Sequence, residues 1–179
     1  PAGNGPDGLT AARDLVFAAN EIDPVETVSA YRAGTDGALV AAPGSPFAVG
    51  DVPSFFYNLQ LDPSGSTLYV PLDDATRLLA FRVDKRNASI TPLPSSPVNV
   101  NLSEPNIGSA VSARLVIVPS DNAGTNDVQV FRRKKNGALE PLGEVQSSGL
   151  SAPSSSAVDR AGRRFVLADE GTDSVGSYL

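Results

Sequence analysis

The sequence predicts an all-β chain, a β-propeller of four-stranded antiparallel blades with about four repeats present, and three observations carry that expectation. The first is a phrase that recurs as Val28-Ser29-Ala30-Tyr31-Arg32, Leu78-Leu79-Ala80-Phe81-Arg82, Val128-Gln129-Val130-Phe131-Arg132 and, at the end, Val175-Gly176-Ser177-Tyr178. Its aromatics are spaced by 50, 50 and 47 residues (81 − 31, 131 − 81, 178 − 131), a period that marks propellers and solenoids. The second is a succession of short apolar runs between turn residues, which is strand patterning rather than helical spacing. The third is proline: Pro53, Pro105 and Pro153 stand at matched places before each inner strand, where they break helices and suit links between sheets.

Taken in order, the repeats run approximately over 1–53, 54–105, 106–153 and an incomplete 154–179. In the first, Leu15 to Ala18 reads as a second strand and Tyr31 centres the third, while Pro1 to Thr10 precede any recognisable strand. The second repeat is the clearest. Tyr57 to Leu61 reads as an inner strand, Asp62-Pro63-Ser64-Gly65 as a turn, Leu68 to Val70 as the second strand, Leu78 to Val83 as the third, and Ile90 to Leu93 as the last. Pro63 presets the first turn dihedral and Gly65 relieves its end. Inner strands follow near Ser109 to Val111 and Ser155 to Val158, and second strands at Leu115 to Val118 and Phe165 to Ala168. The repeated Tyr31, Phe81, Phe131 and Tyr178 are expected to be core between blades. Arg32, Arg82 and Arg132, which follow three of these rings, are expected to be solvated strand ends or stacking partners rather than anion binders.

Composition narrows the partners. With 20 acidic and 14 basic side chains the formal charge is −6, which argues against a nucleic-acid partner, because that binding is dominated by Lys and Arg on phosphates. The basic run Arg132-Arg133-Lys134-Lys135 ends in Asn136-Gly137 and reads as a hairpin turn. No window approaches the roughly 18 continuous apolar residues of a membrane helix, and no charged start with an apolar stretch marks a signal peptide. No membrane partner is expected. The chain starts with Pro and holds no Met, so its native ends are expected to lie elsewhere. The sequons at Asn87 and Asn101 are compatible with a secreted or periplasmic setting.

The phrase Gly44-Ser45-Pro46-Phe47 with Gly50 and Pro53, followed by Leu61-Asp62-Pro63-Ser64-Gly65-Ser66-Thr67-Leu68-Tyr69-Val70, resembles the repeat of the lactonase-type seven-bladed propellers, a group that includes 6-phosphogluconolactonase-like and surface-layer propeller proteins. The resemblance covers nearly the whole chain and rests on turn and core residues. Later repeats depart from it, since Ser112-Ala113-Arg114 replaces the Asp-Pro-Ser-Gly turn and Asp159-Arg160-Ala161-Gly162 keeps only its Asp and Gly. Seven blades of this period need roughly 350 residues, about twice this chain. Further blades, a second copy of the chain, or closure of four blades through the amino-terminal segment would complete the ring, so self-association is one expectation.

With no His and no Cys, a Ser-His-Asp triad and a His- or Cys-ligated zinc site are excluded from this segment. What recurs instead is an acidic or amide turn after each second strand: Asn20 and Glu21, Asp73 and Asp74, Asp121, and Asp169 with Glu170. In a propeller those turns share one face. Their carboxylates are candidates for holding a small polar ligand or a hard cation such as calcium or magnesium, or for general-base attack of water on a lactone. Asp and Asn also favour turns simply because they cap local backbone groups. The expected function is a binding or scaffold module with a loop-rich acidic face towards a ligand or protein partner, while the resemblance implies the alternative of a lactonase-like hydrolase of sugar-acid lactones. A carboxylate-pair glycosidase is a third reading.

Overall fold

The computed structural model describes residues 3–20, 25–49, 58–72, 76–100, 102, 108–120, 127–143, 146–147, 149–151, 153–159 and 161–178. All regular structure among them is β. The first blade comprises β1 (Pro6–Ala12), β2 (Leu15–Asn20), β3 (Thr27–Ala33), β4 (Leu39–Ala41) and β5 (Phe47–Ala48). The second comprises β6 (Gln60–Leu61), β7 (Thr67–Leu72), β8 (Arg77–Val83), β9 (Ile90–Pro92) and β10 (Val98–Asn99). In the third are β11 (Ala110–Val111), β12 (Leu115–Pro119), β13 (Asp127–Arg133), β14 (Leu139–Pro141) and β15 (Gln146–Ser147), and in the fourth β16 (Pro153–Val158), β17 (Phe165–Asp169) and β18 (Ser174–Tyr178). Every pairing is antiparallel, and within each blade successive strands pair in chain order except that the fifth segment of the first three returns to the third strand, giving four meanders. The inner strands sit side by side in the order β1, β6, β11, β16. Four consecutive blades of a propeller result.

Two details differ from the sequence expectation. The segment before Thr10 does contain a strand: β1 is the inner strand of the first blade, pairing Leu9 with Ala18 and Ala12 with Leu15, and Pro6 with Asn20 beyond a bulge between Pro6 and Leu9. Pro6-Asp7-Gly8 carries no apolar run, so only pairing with β2 makes it a strand. The outer strand, expected as one piece, is broken in three blades into two segments that both pair with the third strand. In the first blade Ala41 lies opposite Tyr31 and Phe47 opposite Val28, so residues 42–46 bulge out between them. The Gly44-Ser45-Pro46 phrase builds that bulge. Ala42 N–H donates to the Ala30 carbonyl at 2.8 Å, and Ser45 Oγ accepts the Ala30 N–H at 2.9 Å. Leu93 and Ser96 repeat both bonds at Ala80, at 2.9 and 3.0 Å.

The core lies in the seams between blades. Leu15, Phe17 and Val28 of the first blade meet Leu68, Val70 and Phe81 of the second. Tyr69 and Leu78 on the other face of the second meet Val116, Val118 and Phe131 of the third. Ile117 and Val128 then meet Leu167, with Phe165 and Tyr178 at the edge, their rings stacked at 4.8 Å between centroids. The repeat of about 50 residues thus sends each third-strand aromatic towards the preceding blade, because alternate strand residues face opposite sides. Tyr31 obeys the same rule on the outward face of the first blade, where it is nonetheless buried. On this face Leu9 is 69% exposed, and on the outward face of the fourth blade Val175 is 70% exposed. These two faces are therefore not packed on each other. Close approach of inner strands fixes Gly108, where a Cβ would lie 2.3 Å from the Ser155 Cα.

Candidate functional site

The candidate acidic edge is where second strands end and third strands begin. Of the residues singled out there, Glu21, Asp73, Asp74 and Asp121 lie outside the described residues, as does Asn101. Asn20, Asp169 and Glu170 are described. Asn20 and Asp169 occupy matched positions four residues beyond Val16 and Phe165, which pair with Tyr31 and Tyr178. Both are buried strand ends rather than turn residues. The strands run farther than their apolar letters indicate, and this carries the two polar side chains into the sheet.

Asn20 donates from Nδ2 to Thr27 Oγ1 and to Ser29 Oγ, both at 3.0 Å. Ser29 Oγ also accepts the Gly3 N–H at 2.9 Å. Gly3 is close enough that a Cβ there would lie 2.5 Å from Asn20 Nδ2. Asn20 Oδ1 is buried without a hydrogen-bond partner among the described residues. The cluster ties the segment before β1 to the first blade.

Asp169 works differently. Its carboxylate accepts the Ser151 N–H at 3.1 Å, the Gly171 N–H at 3.2 Å and the Thr172 hydroxyl in a short bond. It clamps the link into the fourth blade onto the turn between β17 and β18. Glu170 and Asp173, next to it on that turn, are exposed. Among the described residues no cluster of three or more acidic side chains could hold a metal ion.

A buried ion pair lies at the opposite edge, in the seam between the second and third blades, and sequence reading missed it. Asp62, 1% exposed, accepts N–H bonds from Ser64 at 3.0 Å and from Ser66 and Thr67 at 2.6 Å each, and the Ser64 hydroxyl at 2.5 Å. Arg133 from the third blade places its Nη2 2.7 Å from the same carboxylate. Burial by itself pushes the Asp62 carboxyl up, but the Ser64 hydroxyl, the Thr67 amide and the Arg133 guanidinium outweigh it and hold it below the usual range. Tyr69, beside them, donates its hydroxyl to the Gly137 carbonyl at 2.7 Å. Burial pushes its phenol up to about 12, against the pull of Arg133. This sealed set is a pin between blades. The sequence signal was the Asp-Pro-Ser-Gly turn, yet the partner lies 71 residues on (133 − 62).

The blade arrangement is shared with proteins of known structure. A periplasmic gluconolactonase from Pseudomonas aeruginosa superposes with a TM-score of 0.74 at 18% identity, over 97% of this chain and 49% of that one. A protein provisionally named 6-phosphogluconolactonase from Bacteroides uniformis gives 0.74 at 16% identity, over 97% and 50%. A protein of unknown function from Desulfotomaculum acetoxidans gives 0.75 at 17%, over 100% and 56%. The chain has the lactonase-like propeller fold. It spans about half the length of these structures. No protein-family profile and no curated sequence matches it, so the likeness is one of fold.

Proposed function

We propose that this propeller segment is a binding module that presents its acid-rich turn edge to a small polar ligand or a protein partner, with calcium or magnesium as the cation its oxygen donors would suit. The observation that supports this reading is the state of Asp169. A carboxylate that accepts two amide bonds and a hydroxyl bond from its own surroundings is a structural acceptor, poorly placed to take a proton from water. Beside it the exposed Glu170 and Asp173 are available to recognise a ligand. The gluconolactonase named among the fold neighbours provides the competing reading, a lactone hydrolase, and fold alone does not carry activity.

The test is hydrolysis of gluconolactone and of its 6-phosphorylated form. The expected result is the uncatalysed rate, with the folded chain verified by circular dichroism. Turnover that vanishes in Asp169→Asn while the spectrum is unchanged would replace the binding module with a hydrolase. A calcium or magnesium titration followed by thermal melting adds a second readout, in which a raised midpoint that is lost in Glu170→Gln places the cation at this turn.

A further inference from the structure

We propose that the opposite edge of the blades, formed by the turns between first and second and between third and fourth strands, is a docking surface for an acidic polypeptide segment whose carboxylates enter the clefts between blades. The charge distribution leads to this surface. Of the 14 cationic side chains, Arg160 lies outside the described residues and Arg77 begins β8 at the acidic edge, so twelve (14 − 2) stand at this one. Among the described residues it has six carboxylates, and each is already engaged. Asp14 pairs with Arg32, Asp62 with Arg133, and Glu140 with Lys134 at 3.7 Å. Asp36, Asp84 and Asp159 cap their own turns through the N–H groups of Ala38, Arg86 and Arg163, at 3.0, 2.9 and 2.7 Å. Nine of the cations (12 − 3) have no ion pair among the described residues. In a chain of net charge −6, the described residues of this edge thus carry a surplus of six positive charges (12 − 6).

The clefts give this charge a shape. Between the first and second blades a cleft of about 460 Å³ is lined by Arg32, Arg86 and Asn87 with the aliphatic Val40, Ala41 and Pro43. Between the third and fourth a cleft of about 370 Å³ is lined by Arg114 and Arg163 with Ala113 and Ala161. Each brings together arginines from adjacent blades: Arg32 is already held by Asp14 and by the Arg86 carbonyl at 2.6 Å, whereas Arg86, Arg114 and Arg163 have no ion pair among the described residues. In the middle seam, at the same edge, the chain's own Asp62 lies against Arg133, so a carboxylate is accommodated between adjacent blades beside a guanidinium. Planar guanidinium groups favour bidentate carboxylate recognition. The aliphatic walls fit side chains flanking an acid in a peptide better than they fit a uniformly polar phosphate or sugar polymer. The surface is separate from the acidic edge and does not depend on its role.

The experiment titrates the folded chain into a fluorescent peptide of alternating glutamate and leucine, with polygalacturonate, duplex DNA and anionic vesicles as parallel probes. Binding of the peptide is expected at low salt and should weaken as ionic strength rises. Arg86→Glu and Arg163→Glu, both exposed, should each weaken it by about tenfold without moving the thermal midpoint, while Arg77→Gln at the other edge leaves it unchanged. Absence of peptide binding, binding indifferent to both reversals, or tighter binding of the polysaccharide, the DNA or the vesicles overturns the proposal.

Discussion

Cutting the ion pair between Asp62 and Arg133 tests whether the seam between the second and third blades depends on it. The pair spans 2.7 Å, with side chains 1% and 9% exposed. Removing one partner of such a pair leaves an uncompensated buried charge, at a cost of about 3–5 kcal/mol. The two single substitutions should not be equal. Arg133→Met leaves Asp62 still accepting three backbone N–H groups and a hydroxyl, so its cost belongs at the lower end, about 3 kcal/mol. Asp62→Ala strips all four bonds and strands a guanidinium whose Nε already has no hydrogen-bond partner among the described residues; it should cost about 5 kcal/mol. The double substitution should cost less than the sum, with a coupling of about 1–3 kcal/mol. Urea unfolding measures each as a shifted midpoint at constant slope. Additive losses, or a loss below about 1 kcal/mol for Arg133→Met, would refute the pin. The acid limb adds a check of sign. Because the folded Asp62 carboxyl lies below its ordinary 3.8, its contribution is complete above that value and is lost as pH falls through the lower folded pKa. Asp62→Asn should therefore flatten the stability decline below about pH 4 and leave the slope at neutral pH unchanged.

Phe131→Ala, at a ring 1% exposed in the same seam, should cost about 3–5 kcal/mol by urea unfolding; a loss below about 1 kcal/mol would count against its core role. Ser45→Ala and Ser96→Ala each leave a third-strand N–H without its hydroxyl acceptor and should cost about 1–3 kcal/mol, read in the same way. Gly108→Ala should unfold or separate the third and fourth blades, since a Cβ meets Ser155 backbone at 2.3 Å, and a native-like melt would contradict that approach. Light scattering on the isolated chain should show dimers or larger species, because the outward faces of the first and fourth blades leave Leu9 and Val175 largely in solvent; a stable monomer of 18.5 kDa would argue against it.

The repeat, the all-β class and the third-strand aromatics were legible from sequence because they follow from local pattern. A strand side-chain period of two and turn residues at fixed offsets are written in neighbouring letters. Thus Phe81 and Phe131 were readable as core, and the Asp62 to Gly65 turn as a turn. Where a residue's state depends on another blade, the letters were silent. The strand from Pro6 to Ala12 exists because β2 pairs with it, and the Gly44-Ser45-Pro46 phrase is a bulge because Ala30 needs a partner for its N–H. Asn20 and Asp169 looked like turn residues that could line an open face, and the register of β2 and β17 instead drew both into the sheet. The union of Asp62 with Arg133, and the gathering of the remaining cations along one edge, come from stacking blades whose contacts lie about 50 residues or more apart. Periodicity determined the blades; their packing alone decided which charges meet.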